Sequence, residues 1–317
     1  MTVVLTPIDG SERALEALPW AAALAGAQGR VVVLRVIPPD RALRESRLAL
    51  TGIGDESGAQ RTHDAWTSAA EADLDKAAAI LADSGIAADR VVQMGEPDEE
   101  IVAAVARQGA DLIVMASQGR GAIGRAIFGS VADRVARTST VPVLVVRARE
   151  EDSRSAAINR LVVPLDGSEI AERALPVAVD LARRLGISIH VVRAIDPVTT
   201  VPVARGVFGA APAVNADITD RLWQEAESEA QATVANALSR LQDDGIDTSG
   251  AVLTGSPFFA ITEFVEPGDL IVLTSHGRGG VRRWLLGSVA EKLVREAPVP
   301  VLLVPAAERG AGDRLTG

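Results

Sequence analysis

The chain has 317 residues, with 32 basic and 42 acidic side chains and a formal net charge of −10. Its 48% hydrophobic content argues for substantial cores and against disorder, while 3% aromatic residues and no Tyr remove the stacking platforms of single-strand nucleic-acid binders. The acidic balance removes a global attraction to phosphate backbones, and the absence of Cys excludes disulfides, thiolate metal sites and Cys nucleophiles, in keeping with a cytoplasmic setting. No apolar run approaches the 18 or more residues of a membrane helix. Met1 to Asp9 has no basic segment ahead of an apolar one, so no secretory leader is expected.

In chain order, the patterning predicts strands over Thr2–Ile8, Arg30–Ile37, Arg90–Met94, Asp111–Ala116 and Val141–Arg147. Their continuous Val, Leu and Ile content suits a sheet covered on both faces. Helices are predicted over Glu12–Ala27, Asp64–Ser84, Asp98–Gln108 and Ser130–Thr138. Ser11 is the expected N-cap of the first, with Ala14, Leu15, Leu18, Ala21, Ala22 and Ala25 as its inward stripe. Pro38–Thr62, and later Asp196–Ala216, are long, carry Pro and Gly, and read as irregular excursions after a second strand.

The whole pattern then recurs. Ile8-Asp9-Gly10-Ser11-Glu12 returns as Leu165-Asp166-Gly167-Ser168-Glu169, Gly119-Arg120-Gly121 as Gly277-Arg278-Gly279, and Gly129-Ser130-Val131-Ala132 as Gly287-Ser288-Val289-Ala290. Two copies of one domain follow: residues 1–148, a polar linker at 149–157, a second copy at 158–306 and a tail at 307–317. Strand-helix alternation ending in a strand predicts an α/β fold. Each copy is an open five-stranded parallel sheet with helices on both faces and right-handed crossovers. Ligands of such sheets bind at the carboxyl ends of strands, where the strand order reverses.

Two repeated motifs carry potential chemistry. After the fourth strand, Gly119 and Gly277 are each followed, after nine intervening residues, by a Gly-Ser pair, Gly129-Ser130 and Gly287-Ser288. A Gly-Ser step at a helix start offers backbone N–H groups, the positive end of the helix dipole and a hydroxyl, all suited to phosphate oxygens. The alternative is that the serines cap their helices and the glycines serve turns. After the first strand stand Pro7-Ile8-Asp9 and Pro164-Leu165-Asp166, whose carboxylates either accept from a ribose or base, or support the turn. Arg120, Arg125, Arg278, Arg282 and Arg283 either neutralise polyphosphate or are solvated loop charges, the latter being the favoured reading for Arg283. Gly119 to Gly124 matches the dinucleotide fingerprint literally, but it follows the fourth strand, not the first, and Arg282 breaks the pattern in the second copy. There is no Gly-Lys-Ser or Gly-Lys-Thr phosphate loop. His63, His190 and His276 form no repeated triad or metal cluster, and Trp20, Trp66, Trp223 and Trp284 read as plugs for cores or interfaces.

These residues resemble the universal stress protein family in its tandem two-domain form, over roughly 1–148 and 158–306. The family motif is Gly, two residues, Gly, nine residues, Gly, then Ser or Thr; here it departs at its first position, where Ala116 and Thr274 stand. The resemblance implies a Rossmann-like fold of the adenine nucleotide alpha hydrolase type and an ATP site in each half. Adenosine would lie near Pro7, Asp9 and Val36, and near Pro164, Asp166 and Ala194. The triphosphate would lie on Met115, Gly119, Gly129, Ser130 and Val131, and on Leu273, Gly277, Gly287, Ser288 and Val289, accompanied by Mg2+. It also implies pairing of the fifth strands (141–146 and 299–304) between copies and dimerisation of whole chains. The implied role is regulation in the stress response. A slow ATPase, with no duplicated general base to speed it, and a nucleotide-free interaction module are the alternatives. A response-regulator receiver is excluded because Met94-Gly95 and Thr254-Gly255 stand where its Asp would be. An ATP pyrophosphatase is excluded because Asp9-Gly10-Ser11 is not its Ser-Gly-Gly loop.

Overall fold

The computed structural model describes residues 1–38, 56–117, 129–147, 156–200, 216–242, 245–275 and 286–306. The chain divides into two units, one built from Met1–Ala157 and the other from Ile158–Ala306.

The first unit runs β1 (Val3–Ile8), α1 (Glu12–Leu15), α2 (Leu18–Ala25), β2 (Arg30–Ile37), α3 (Glu56–Asp83), β3 (Ala88–Met94), α4 (Pro97–Gln108), β4 (Leu112–Ser117), α5 (Ser130–Thr138) and β5 (Val143–Arg147). Its strands lie in the order β3-β2-β1-β4-β5, all parallel. The second unit repeats this with β6 (Arg160–Pro164), α6 (Glu169–Glu172), α7 (Ala174–Leu185), β7 (Ser188–Ile195), α8 (Pro197–Thr200), α9 (Ala216–Gln242), β8 (Thr248–Thr254), α10 (Pro257–Phe264), β9 (Asp269–Thr274), α11 (Ser288–Glu296) and β10 (Val301–Val304), in the order β8-β7-β6-β9-β10. The chain is thus α/β with two Rossmann-like units. Burial on both faces explains the unbroken apolar strands: Val4, Leu5, Val31 to Leu34, Ile113 and Val114 are fully buried or nearly so, as are Leu161, Val162, Leu270 and Ile271.

The expected first helix is broken in two. Pro19 has no N–H for the carbonyl four residues back, and its ring crowds that carbonyl, so α1 ends at Leu15. Pro176 ends α6 at Glu172 by the same rule. Ser11 does cap α1, its Oγ accepting from the Ala14 N–H at 3.2 Å. Of the predicted stripe, Leu15 is only half-buried, while Ala17 and Leu24 join the core. The excursion expected through Thr62 ends earlier, because α3 already starts at Glu56, and His63 therefore lies within a helix. Within the excursion expected over Asp196–Ala216, Pro197–Thr200 is helical. Trp20, Trp66 and Trp223 are half-buried, so they border the core without plugging it; Trp284 lies outside the described residues. Among the described residues, no helix is long and apolar enough to cross a membrane.

Candidate functional site

In each unit the strand order reverses beside the first strand. β1 has β2 on one side and β4 on the other, and β6 has β7 and β9. The carboxyl ends of β1 and β4, and of β6 and β9, therefore open a crevice.

One wall starts with the aspartate. Asp9 follows β1 by one residue and Asp166 follows β6 by two. Asp9 Oδ1 accepts from the Ser11 N–H at 2.9 Å and the Ser11 hydroxyl at 2.6 Å; Asp166 Oδ1 accepts from Ser168 at 3.0 and 2.5 Å. The serine hydroxyls in turn accept from the Ala14 and Ala171 N–H groups. One oxygen of each carboxylate therefore supports the turn, the alternative left open by the sequence. Asp9 is exposed, and its Oδ2 takes no hydrogen bond among the described residues. The turn needs Gly10 and Gly167, whose φ values of 84° and 78° are left-handed. A Cβ on Gly10 would also stand 2.5 Å from an Asp73 oxygen.

The opposite wall is the start of α5 or α11. Its N-cap residues are Gly129 and Gly287, so Ser130 and Ser288 are the first helical residues and make no capping bond. Both hydroxyls are exposed and without a hydrogen bond among the described residues. The carbonyls of Gly129 and Gly287 accept from Asp133 and Glu291, which leaves the N–H groups of the first three helical residues without an intrahelical partner. Gly129 (φ −58°, ψ 142°) and Gly287 (φ −59°, ψ 147°) adopt backbone that any residue can adopt, so the turn does not explain glycine at these positions.

In the second unit these walls enclose a cavity of about 790 Å³. Pro164, Asp166, Ala194, Leu273, Gly287, Ser288 and Val289 all line it. Ala194 lies within β7, paired with Leu253, and Val36 lies within β2, paired with Gln93, so both precede the end of the second strand. In the first unit Pro7 and Met115 are buried and Val131 is half-buried. Gly119, Gly277 and the arginines of the glycine loops lie outside the described residues.

The sequence reading missed several residues of the cavity: Arg193, Thr199, Glu229, Phe258 and Lys292. A signal for Arg193 was present in the repeat, since Arg35 precedes Val36 as Arg193 precedes Ala194. Arg35 Nε donates to Asp73 at 3.0 Å and its Nη1 to the Val36 carbonyl at 2.8 Å. Arg193 instead stands 3.8 Å from a Glu229 carboxylate oxygen. Among the described residues no group of three or more His, Asp or Glu side chains is set to hold a metal ion.

A family model described as the universal stress protein family matches residues 1–147 and again 157–305. Universal stress protein Rv2005c of Mycobacterium tuberculosis is 31% identical over 194 residues, covering 61% of this chain and 61% of that protein. The match thus spans about three fifths of such a relative's length. Universal stress protein MJ0531 of Methanocaldococcus jannaschii is 30% identical over 149 residues, 46% of this chain and 81% of its own. A crystal structure of a universal stress protein from Archaeoglobus fulgidus DSM 4304 shares the fold, with a TM-score of 0.63 and 24% identity over 96% of this chain and 98% of that one.

Proposed function

The chain belongs to the universal stress protein family, and from that premise we propose that each half binds ATP and that the protein acts as a nucleotide-dependent regulator in the stress response. The observation that carries this reading is the cavity of the second unit. It sets the Asp166 carboxylate on one wall against three N–H donors and the Ser288 hydroxyl on the other. The positive end of α11 favours anionic oxygens, and the carboxylate matches a sugar hydroxyl or a base amino group. The volume falls within the range of small-molecule sites. Glycine at 129 and 287, unforced by its dihedrals, keeps side-chain atoms out of the approach to those donors.

Mg2+ would enter with the phosphates, which supply most of its ligands. Pairing of the two halves through their fifth strands, assembly of whole chains into dimers and residence in the cytoplasm belong to the same proposal, on the strength of the family resemblance. Regulation would follow if ATP stabilises one arrangement of the chain over another.

The test is calorimetric titration of the full chain with ATP. Asp9→Asn and Asp166→Asn serve as variants, because Asn retains an oxygen that accepts the Ser11 or Ser168 bonds. ATP binding that weakens in each variant, with unchanged melting temperature, is the expected result. Binding unaffected by both variants contradicts the assigned pocket.

A further inference from the structure

The two crevices are built from corresponding residues but carry different charges. Ser130 and Arg134 in α5, and Ser288 and Lys292 in α11, are spaced four apart, so each serine shares a helix face with a cation one turn further in. In the first unit that cation is engaged: Arg134 Nη1 lies 3.4 Å from both carboxylate oxygens of Asp98, at the start of α4. The first turn of α4 carries Asp98, Glu99 and Glu100. In the second unit the position of Asp98, next after the opening proline, is Phe258, and the first turn of α10 has no acidic residue. Lys292 Nζ sits 5.8 Å from the centre of the Phe258 ring, with no carboxylate partner among the described residues, and lines the cavity together with Ser288. The acidic residues of that cavity, Asp166, Asp196 and Glu229, come from other elements. On α11 itself Glu291 is paired with Arg295 at 2.7 Å.

We infer that the two sites are unequal, that the second half holds the tighter one, and that Lys292 sets its affinity by reading the phosphate tail rather than the nucleoside. The inference rests on the nucleotide reading above and adds to it a ranking of the two sites and the residue that grips the phosphates. The physical basis is the state of the cation before binding. An ammonium over an aromatic face gives up little to meet an anion, whereas Arg134 must leave or share the Asp98 carboxylate before it can meet one. The aspartate and serine of each site are the same in both halves and do not distinguish them.

The experiment is calorimetry of the full chain with ATP and, separately, with adenosine. Ser130→Asp and Ser288→Asp serve to close one crevice at a time. Two classes of ATP site are expected, the tighter one removed by Ser288→Asp. Lys292→Gln, at an exposed position, should weaken that class about tenfold for ATP and leave adenosine affinity unchanged. Asp98→Ala should tighten the weaker class. Equal sites, loss of the tighter class in Ser130→Asp, or an unaltered ATP affinity in folded Lys292→Gln overturns the inference while leaving the ATP reading intact. A full chain that binds no ATP at either site overturns both.

Discussion

Thr6 sits in the middle of β1, fully buried, and its hydroxyl has no partner among the described residues. The corresponding position in the second unit is Val163, also fully buried. A buried hydroxyl without a hydrogen bond costs roughly 1–3 kcal/mol relative to an apolar group. Thr6→Val should therefore raise stability by about 1 kcal/mol or more in denaturant unfolding, and a destabilised variant would show that the hydroxyl is satisfied. His190 is a second position of this kind, where the first unit has Val32. It shares a hydrogen bond with Ser249 through Nδ1 at 2.7 Å, while Nε2 is buried without a partner among the described residues. Burial lowers its pKa below the usual histidine value, the nearby Arg160 guanidinium lowers it further, and Asp269 partly offsets both. A lowered value in the folded state means that the unfolded chain takes up the proton first on acidification. The stability contribution is thus complete above about pH 6.5 and is lost as pH falls through the lowered value. Thermal melts of His190→Val should show a flatter acid limb than the parent; an identical pH dependence would place the acid sensitivity elsewhere.

At the scale of elements, two serines that look alike in sequence do different work. Ser168 is the N-cap of α6, and its Oγ accepts from the Ala171 N–H at 3.1 Å. Ser288 is one residue inside α11 and caps nothing. Ser168→Ala should cost about 1 kcal/mol of stability, and Ser288→Ala less than about 0.5 kcal/mol, as judged by urea midpoints. Equal losses would mean that Ser288 supports its helix after all, and its availability to a ligand would fall with that. Most elements were legible beforehand because the strands are unbroken apolar runs and the helices are amphipathic. Two errors have physical causes. Helix periodicity continued through Pro19, but the missing N–H and the ring of a proline act four residues upstream, which the apolar pattern does not register. The first turns of α3, from Glu56 to Thr62, are largely polar and give no stripe to detect. The aspartates and Gly-Ser pairs of the candidate site were visible because they recur at fixed spacing. Lys292 was not, because its significance lies in Phe258 replacing Asp98 on a different helix, a relation that exists only once the elements are packed.

For the molecule as a whole, duplication explains both what is shared and what has diverged. The two units keep the same strand order, the same helix break at a proline, the same aspartate-serine turn and the same glycine-started helix after the fourth strand. They differ at the edges of the crevices: Arg35 is held by Asp73 where Arg193 faces Glu229, and Arg134 is held by Asp98 where Lys292 covers Phe258. A fold supplies the crevice, while the groups around it set what enters and how tightly. Because a ligand that binds only the folded chain stabilises it by mass action, occupancy of both crevices should also appear as a rise in melting temperature with ATP concentration. The most direct test of the central claim is native mass spectrometry of the intact chain titrated with ATP. The account predicts successive additions of one and then two nucleotides per chain, the second at higher concentration; a chain that stays unliganded throughout, or that takes up nucleotide equally well after both aspartates and both crevice serines are replaced, would contradict it.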